Sequence, residues 1–326
     1  MAHALLIYNP AAGRISVRPF IGAVVRTLND HGWRVEVAES LNGRHTTRLA
    51  RIAAQENFRA VFAIGGDGTA GQAAGGLIGS ETALGVLPAG TTNVWAQEMS
   101  IPAFTLAHLQ ALRQNARMLA EATPCAMDIG LCNGLPFLMW AGIGLDAIAV
   151  KKLASRKRFE KYLNYTEYGA TAIWNAAIWH GMDLRVTWEN KQVEGHYMLA
   201  VASNIRHYGA GNISPYAYLD DGYMDLWLFS GRTLGDAFRT YIELQSKQHL
   251  TSEQARCIPF REAVIESDTA VSLQMDGDPM LGAQVVKLEV LQGKLQVLIP
   301  AHARHLLQNE KANPQPEAEK DRAGSE

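Results

Sequence analysis

Ala60-Val61-Phe62-Ala63-Ile64-Gly65-Gly66-Asp67-Gly68-Thr69-Ala70-Gly71 is the stretch that decides the fold of this chain. Its first five residues form an unbroken apolar run of strand length, as expected for a strand buried on both faces. Glycines then interrupt the run, and an Ala- and Gly-rich helix starts near Ala70. At such a junction glycines let backbone N–H groups approach an anion with no Cβ in the way, and the helix N-terminus adds a positive dipole. A phosphate is the natural guest, although the same glycines also suit a plain tight turn. Gly66 to Gly71 satisfies G-x-G-x-x-G literally, yet Pro88 to Val94 stands where that fingerprint wants an acidic residue for a ribose. The P-loop pattern and the protein-kinase motifs are absent.

Outward from this stretch the same alternation repeats. Ala4 to Tyr8 reads as a buried strand ended by Asn9-Pro10, and Val17, Phe20, Ile21, Val24, Val25 and Leu28 recur at helical spacing until Gly32. Trp33, Val35 and Val37 alternate as in a strand, Arg44 to Asn57 suits a helix, and Leu84 to Leu87 is a further strand. Helical patterns follow through Trp95 and through Leu106, Leu109 and Leu112. This predicts an α/β domain over residues 1–124, a doubly wound parallel sheet with helices on both faces. Two more small-residue loops, Asn9 to Arg14 and Pro88 to Asn93, stand at equivalent strand ends. Ligands gather beyond the carboxyl ends of parallel strands, and three such loops together suit a nucleoside triphosphate.

After Pro124 the texture becomes β-rich. Asn133-Gly134 between two apolar runs is a hairpin signal, because both residues tolerate the positive φ of a tight turn. A second hairpin is expected around Asn190, and a third at Gln292-Gly293 between Val285–Leu291 and Leu295–Ile299. Helical inserts are expected over Tyr165 to Trp179 and Leu234 to Gln245. Residues 125–299 therefore read as a sandwich-like β domain, and the polar stretch 308–326, with Pro314 and Pro316, as a disordered tail.

Composition narrows the function classes. The 326 residues are 48% hydrophobic and 19% charged, with 30 Lys and Arg against 32 Asp and Glu. A net charge of −2 argues against a surface built to grip nucleic acid. Three cysteines without a C-x-x-C give neither a disulfide framework nor a zinc site, so a reducing cytoplasm is expected. No run approaches the ~20 apolar residues that span a bilayer, and the start lacks a basic n-region.

The order of motifs resembles the bacterial diacylglycerol kinase catalytic-domain family of soluble lipid kinases, which is related to sphingosine kinases and more remotely to NAD kinases. The resemblance runs from Asn9-Pro10 through Gly65-Gly66-Asp67-Gly68-Thr69 and Leu87 to Asn93. It continues through Gly142 to Ala147 and Pro215 to Asp225, ending at Gln274-Met275-Asp276-Gly277-Asp278-Pro279. It implies a two-domain, ATP- and Mg²⁺-dependent kinase of a lipid hydroxyl, with residues 300–307 returning to the first domain and the nucleotide in the cleft between domains. Asn9, Pro10, Gly13, Gly65, Gly66, Asp67, Gly68, Thr69 and Thr91 resemble the ATP-binding positions, with Asp67 expected to organise phosphate and metal. Asp221, with the carbonyls of Tyr218 and Tyr223, resembles a magnesium loop. Asp278 falls where the family places its general base.

Three features depart from the family pattern. Asp278 replaces the usual Glu, Gly71 a frequent Asn, and Val94-Trp95 an acidic-aromatic pair. The resemblance also implies a lipid partner at an anionic membrane surface, and Lys151, Lys152, Arg156, Lys157, Arg158 and Lys161 form the densest basic cluster for such a contact. The competing readings are a kinase of NAD or another soluble acceptor, a Rossmann-type oxidoreductase, and a non-catalytic nucleotide or lipid sensor.

Overall fold

A computed structural model describes residues 1–154, 181–209 and 211–311. Strands β1 (Ala2–Tyr8), β2 (Trp33–Glu39), β3 (Ala60–Gly65) and β4 (Ala83–Pro88) alternate with helices α1 (Arg18–Asp30), α2 (Gly43–Gln55) and α3 (Asp67–Leu77). Helices α4 (Val94–Glu98) and α5 (Ala111–Ala120) follow. The four strands are parallel, in the order β2-β1-β3-β4. β3 and β4 are buried along their whole length, which is why they read as continuous apolar runs.

Alternate strand residues feed two layers. Leu5, Ile7, Val61 and Ala63 pack with Ala50 and Ala53 of α2 and with Ala73 and Leu77 of α3. Leu6, Phe62 and Ile64 pack with Val24 and Leu28 of α1 and with Leu112 and Leu119 of α5. Each such buried Val, Leu, Ile or Phe side chain is worth about 1.5–3 kcal/mol relative to exposure. The helical spacing expected through Leu106 and Leu109 does not materialise. α5 begins at Ala111, and these two leucines are 80% and 41% exposed on the preceding loop.

The second half is β-rich. β5 (Pro124–Cys132) and β6 (Leu135–Phe137) are joined by Asn133-Gly134, with φ of 49° and 76° as the hairpin requires. β7 (Trp140–Gly144) runs into α6 (Leu145–Ala154), and β8 (Met182–Trp188) pairs with β9 (Lys191–Ser203) around Asn190. The short β10 (His207–Tyr208) and β11 (Gly211–Asn212) pair with each other. Then come β12 (Met224–Ser230), α7 (Leu234–Ser246), β13 (Ala255–Phe260), β14 (Glu262–Met275) and β15 (Asp278–Leu298). β15 pairs with β14 and β5, and its Val297 meets Leu84 of β4 in parallel. Among the described residues, one 13-stranded sheet therefore runs through both halves.

Two expectations need correcting. Val285–Leu291 and Leu295–Ile299 are not the arms of a hairpin. They belong to the single strand β15, irregular between Leu291 and Leu295. Gly293 has φ 62°, a conformation that serves a bulge as well as a turn, and pairing with β5 on both sides keeps the strand running. The stretch from residue 308 is not structureless throughout, because Gln308–Lys311 form one helical turn. The Asp220 carboxylate accepts from Gln308 N at 2.6 Å and Asn309 N at 3.3 Å, which caps that turn from outside. The expected helix over Tyr165–Trp179, the basic residues from Arg156 to Lys161, and Pro314 and Pro316 lie outside the described residues.

Candidate active site

The strand order β2-β1-β3-β4 reverses direction between β1 and β3, and in open α/β sheets the ligand crevice lies beyond the strand ends at that point. Tyr8 pairs with Ile64, and Gly65 with Pro88, so the three small-residue loops leave the sheet at one level. They touch backbone to backbone. A Cβ on Gly13 (φ 61°) would collide with Ala89 O, and one on Gly90 would lie 2.5 Å from Gly66 Cα. Asn9 Nδ2 donates to Thr69 Oγ1 at 3.2 Å, while Asn9 Oδ1 accepts from Ala11 N at 2.9 Å. Asn93, at φ 51°, closes the third loop by exchanging hydrogen bonds with both backbone groups of Gly90, at 2.6 and 2.8 Å. Pro10 is half-buried in the first loop and Thr91 exposed at the tip of the third. Gly66 and Gly68 leave their backbone partly open at the N-terminus of α3, where the helix dipole favours an anion.

Asp278 arrives at this crevice from the far end of the chain. β14 and β15 are joined by Asp276-Gly277, both with positive φ (48° and 86°), and Met275 pairs with Asp278 across the turn. This is a two-residue hairpin carrying the Asp-Gly preference of the tightest turns. It sets the Asp278 carboxylate directly over Gly68, with Oδ2 3.2 Å from where a Cβ on that glycine would stand. Gln72 Nε2, 206 positions away in the chain, donates to Asp278 Oδ2 at 2.9 Å. Asp278 is open to solvent on its outer side and crowded by protein on its inner side. That crowding raises its pKa, against the Gln72 amide, which lowers it.

The other end of the turn is locked. The buried Asp276 carboxylate accepts from Leu138 N (2.7 Å), Met139 N (2.8 Å) and Trp140 N (3.1 Å). Burial, with a smaller push from Asp67, raises its pKa to about 7 against those three amides. A Cβ on Gly71 would collide with Asp276 Oδ2. The glycine that departs from the family pattern thus makes room for this carboxylate.

The buried Asp67 carboxylate accepts from Thr92 Oγ1 (2.8 Å), Val94 N (3.1 Å) and Trp95 N (3.2 Å). Burial raises its pKa against these donors. Asp67 therefore ties the third loop and the start of α4 to the glycine loop. The departure at Val94-Trp95 costs nothing here, since their backbone amides make the contact.

Tyr218, Asp221 and Tyr223 lie on a separate turn. Asp221 Oδ1 accepts from Tyr223 N at 3.0 Å. The turn is anchored by Asp128 in β5, whose carboxylate accepts from Gly222 N (2.6 Å) and Gly293 N (2.7 Å). Burial, with smaller pushes from Asp221 and Asp220, raises Asp128 to about 6 against these amides. The Asp221 carboxyl is likewise raised, first by burial and then by Asp225 and Asp220. A divalent cation would relieve this like-charge crowding, and a carboxylate with two carbonyls is an all-oxygen donor set suited to Mg²⁺. Among the described residues no three His, Cys, Asp or Glu side chains gather as a metal cage, so the remaining ligands would be carbonyls and water.

Sequence reasoning missed Asp276, Asp128 and Gln72 as members of the site. Asp128 had a signal, a lone acid between Met127 and Ile129 in an apolar strand. Asp276-Gly277 had another, the hairpin dipeptide between alternating apolar residues. Gln72 on α3 had none.

Comparison with known proteins finds two family matches along the chain. Residues 3–125 match the diacylglycerol kinase catalytic domain, and residues 140–299 match the YegS C-terminal NAD kinase beta sandwich-like domain. A diacylglycerol kinase of Bacillus subtilis (strain 168) is 23% identical over 293 residues, covering 88% of this chain and 94% of the relative. A Pseudomonas aeruginosa (strain UCBPP-PA14) protein named "Probable lipid kinase YegS-like" is 26% identical over 301 residues, 91% of this chain and 94% of the relative. In three dimensions the chain is similar to the crystal structure of a diacylglycerol kinase from Bacillus anthracis str. Sterne. The TM-score is 0.69 at 18% identity, over 92% of this chain and 98% of that one, a likeness of fold.

Proposed function

We propose, from the premise that this chain belongs to the diacylglycerol kinase catalytic-domain family, that it is an ATP-dependent kinase acting on a lipid hydroxyl of the diacylglycerol type. The observation that carries the site assignment is the placement of Asp278 over Gly68, where a carboxylate and a phosphate-binding glycine loop face the same space. On this reading the ATP phosphates rest on Asn9, Pro10, Gly13, Gly65, Gly66, Gly68 and Thr69, with Thr91 at the rim. Asp67 holds the loops in register. The lipid oxygen attacks the γ-phosphorus in line, Asp278 takes the hydroxyl proton, and ADP leaves with the electrons of the broken P–O bond. The rate comes mostly from positioning and charge stabilisation, to which a general base adds roughly 10²–10⁴-fold. Mg²⁺, held by Asp221 and the carbonyls of Tyr218 and Tyr223, would neutralise charge that develops on phosphate oxygens.

We divide the chain accordingly. Residues 1–124, a doubly wound parallel unit joined by 300–307, take the nucleotide, and 125–299 take the lipid and the metal. β15 supports that division by linking both sides of the cleft. Among the described residues no helix is long and apolar enough to cross a membrane. We place the enzyme at the anionic cytoplasmic face of a membrane, a reading that the basic sequence from Lys151 to Lys161 supports through its charge.

The test is transfer of labelled γ-phosphate with diacylglycerol in mixed micelles, run beside NAD and soluble polyols. Label should pass into the organic phase as a phosphomonoester lipid. Label appearing only on a water-soluble acceptor would overturn the lipid assignment.

A further inference from the structure

Behind the Asp276-Gly277 turn lies a buried polar chain that the proposed reaction does not use. Gln274, the last residue but one of β14, is 1% exposed, and Asp146 in the first turn of α6 is 5% exposed. Gln274 Nε2 donates to Asp146 Oδ2 at 2.8 Å, and Gln274 Oε1 accepts from Gly277 N at 2.9 Å. Tyr208 OH donates to the same Asp146 oxygen, and its ring stands edge-on to Trp140, 5.6 Å between centroids. The amide orientation is forced. Gly277 N–H can only donate, so the carbonyl end of Gln274 faces it and the NH₂ end faces the carboxylate. Space for this chain is cut into the sheet. Gly142 pairs with Gln274 across the β7–β14 ladder, and a Cβ on it would collide with Asp146 Oδ2 and come 2.5 Å from Gln274 Nε2.

A buried glutamine satisfied at both ends is rigid, because letting go of either partner strands a polar group away from water. Here one end grips the residue next to Asp278. Asp276 fixes the other half of the same turn through the amides of Leu138 to Trp140. We propose that Gln274 and Asp146 are positioning residues for Asp278: they fix Gly277, and through it the distance of the Asp278 carboxylate from the glycine loop. The inference rests on the kinase reading, in which Asp278 is the base. It also accounts for a buried carboxylate that the proposed reaction does not use. Asp146 supplies the acceptor that orients the Gln274 amide.

The experiment compares Gln274→Met and Gln274→Glu with wild type for kcat, ATP KM, melting temperature and the acidic limb of the pH–kcat profile, using lipid and ATP. Methionine keeps the length and volume but neither donates nor accepts. Gln274→Met should lower kcat by about 10–100-fold, the cost of misplacing a reacting group by an ångström or less. It should leave the ATP KM unchanged and move the acidic limb toward the ordinary carboxylate range as Asp278 leaves its crowded site. Gln274→Glu should recover most of kcat. Its carboxyl still accepts from Gly277 and shares one proton with Asp146, since two buried carboxyls in contact cannot both ionise. Wild-type kcat and an unmoved limb in Gln274→Met, or no recovery in Gln274→Glu, would overturn the proposal. If Gln274→Met does not fold, Tyr208→Phe removes one hydroxyl at the far end of the chain. A kcat lowered at constant ATP KM and melting temperature supports the proposal, and an unchanged kcat overturns it. Failure of wild type to label any lipid would instead refute the kinase reading, so the two failures are distinct.

Discussion

Asp220-Asp221-Gly222 and Asp276-Gly277-Asp278 look alike as sequence: two acids and a glycine, each at the edge of a strand. The fold uses them in opposite ways. In the first, Asp220 caps a helical turn near the C-terminus, and Gly222 N–H is given to the buried Asp128. Asp221 is left among like charges, which with burial raise its pKa, and it is the residue we propose for a cation. In the second, the first acid is consumed by three amides and the glycine by Gln274, and these fixed partners hold the last acid over Gly68. Identical residue types thus acquire different chemistry from what stands across from them, a rule that no local window of sequence contains.

The largest expected effect separates the two turns outright. Asp278→Asn should cut kcat by roughly 10²–10⁴-fold, the ordinary range for a general base. Its ATP affinity, measured by calorimetry, should be unchanged. Asp278→Glu should keep substantial activity. An Asn variant with near-normal kcat would remove the contrast between the turns.

Asp67→Ala should come next. Losing the acceptor for Thr92, Val94 and Trp95 strands two buried amides, so roughly 2–4 kcal/mol of stability should vanish along with activity. A lost activity at an unchanged melting temperature would mean that Asp67 acts on ligand rather than on the loops.

A smaller effect concerns pH. Asp276 and Asp128 are raised to about 7 and about 6 by burial. The folded protein therefore keeps their protons where the unfolded chain has released them. Their contribution to stability is present below the ordinary carboxylate pKa of about 4 and is lost as pH rises through the two folded values. Melting temperature should accordingly fall between about pH 4 and pH 7, and Asp276→Asn should flatten part of that fall while costing about 1–3 kcal/mol for the amide left facing an NH₂. A pH-independent difference between the two proteins would contradict the assignment.

Asp221→Ala should perturb least. It should raise the Mg²⁺ concentration for half-maximal rate and leave the fold intact, while Asp220→Ala costs at most about 1 kcal/mol through the lost cap. An unchanged Mg²⁺ dependence in Asp221→Ala would reduce that turn to a structural one.

Much of this was legible in the chain because its signals are local. Buried parallel strands give apolar runs, Ala60 to Ile64 above all, and glycine loops give composition, so the α/β half and its three loops could be read directly. Asn133-Gly134 announced its hairpin for the same reason. Gln292-Gly293 misled because a left-handed glycine serves turn and bulge equally, and only the unbroken partner strand β5 distinguishes them. The donors to Asp67 could not be read from its loop, because the amides that occupy it come from residues 94 and 95. The Gln72–Asp278 contact, 206 positions apart, is a product of the sheet that joins both halves.

The central claim, that the Asp278 carboxylate is the group that takes the proton, is tested most directly by the pH dependence of kcat in wild type, Asp278→Asn and Asp221→Ala. The account predicts an acidic limb in wild type lying above the ordinary carboxylate range, because crowding raises the Asp278 pKa. That limb should be absent from the residual activity of Asp278→Asn and retained in Asp221→Ala at saturating Mg²⁺. A limb that persists in Asp278→Asn, or disappears in Asp221→Ala, would contradict it.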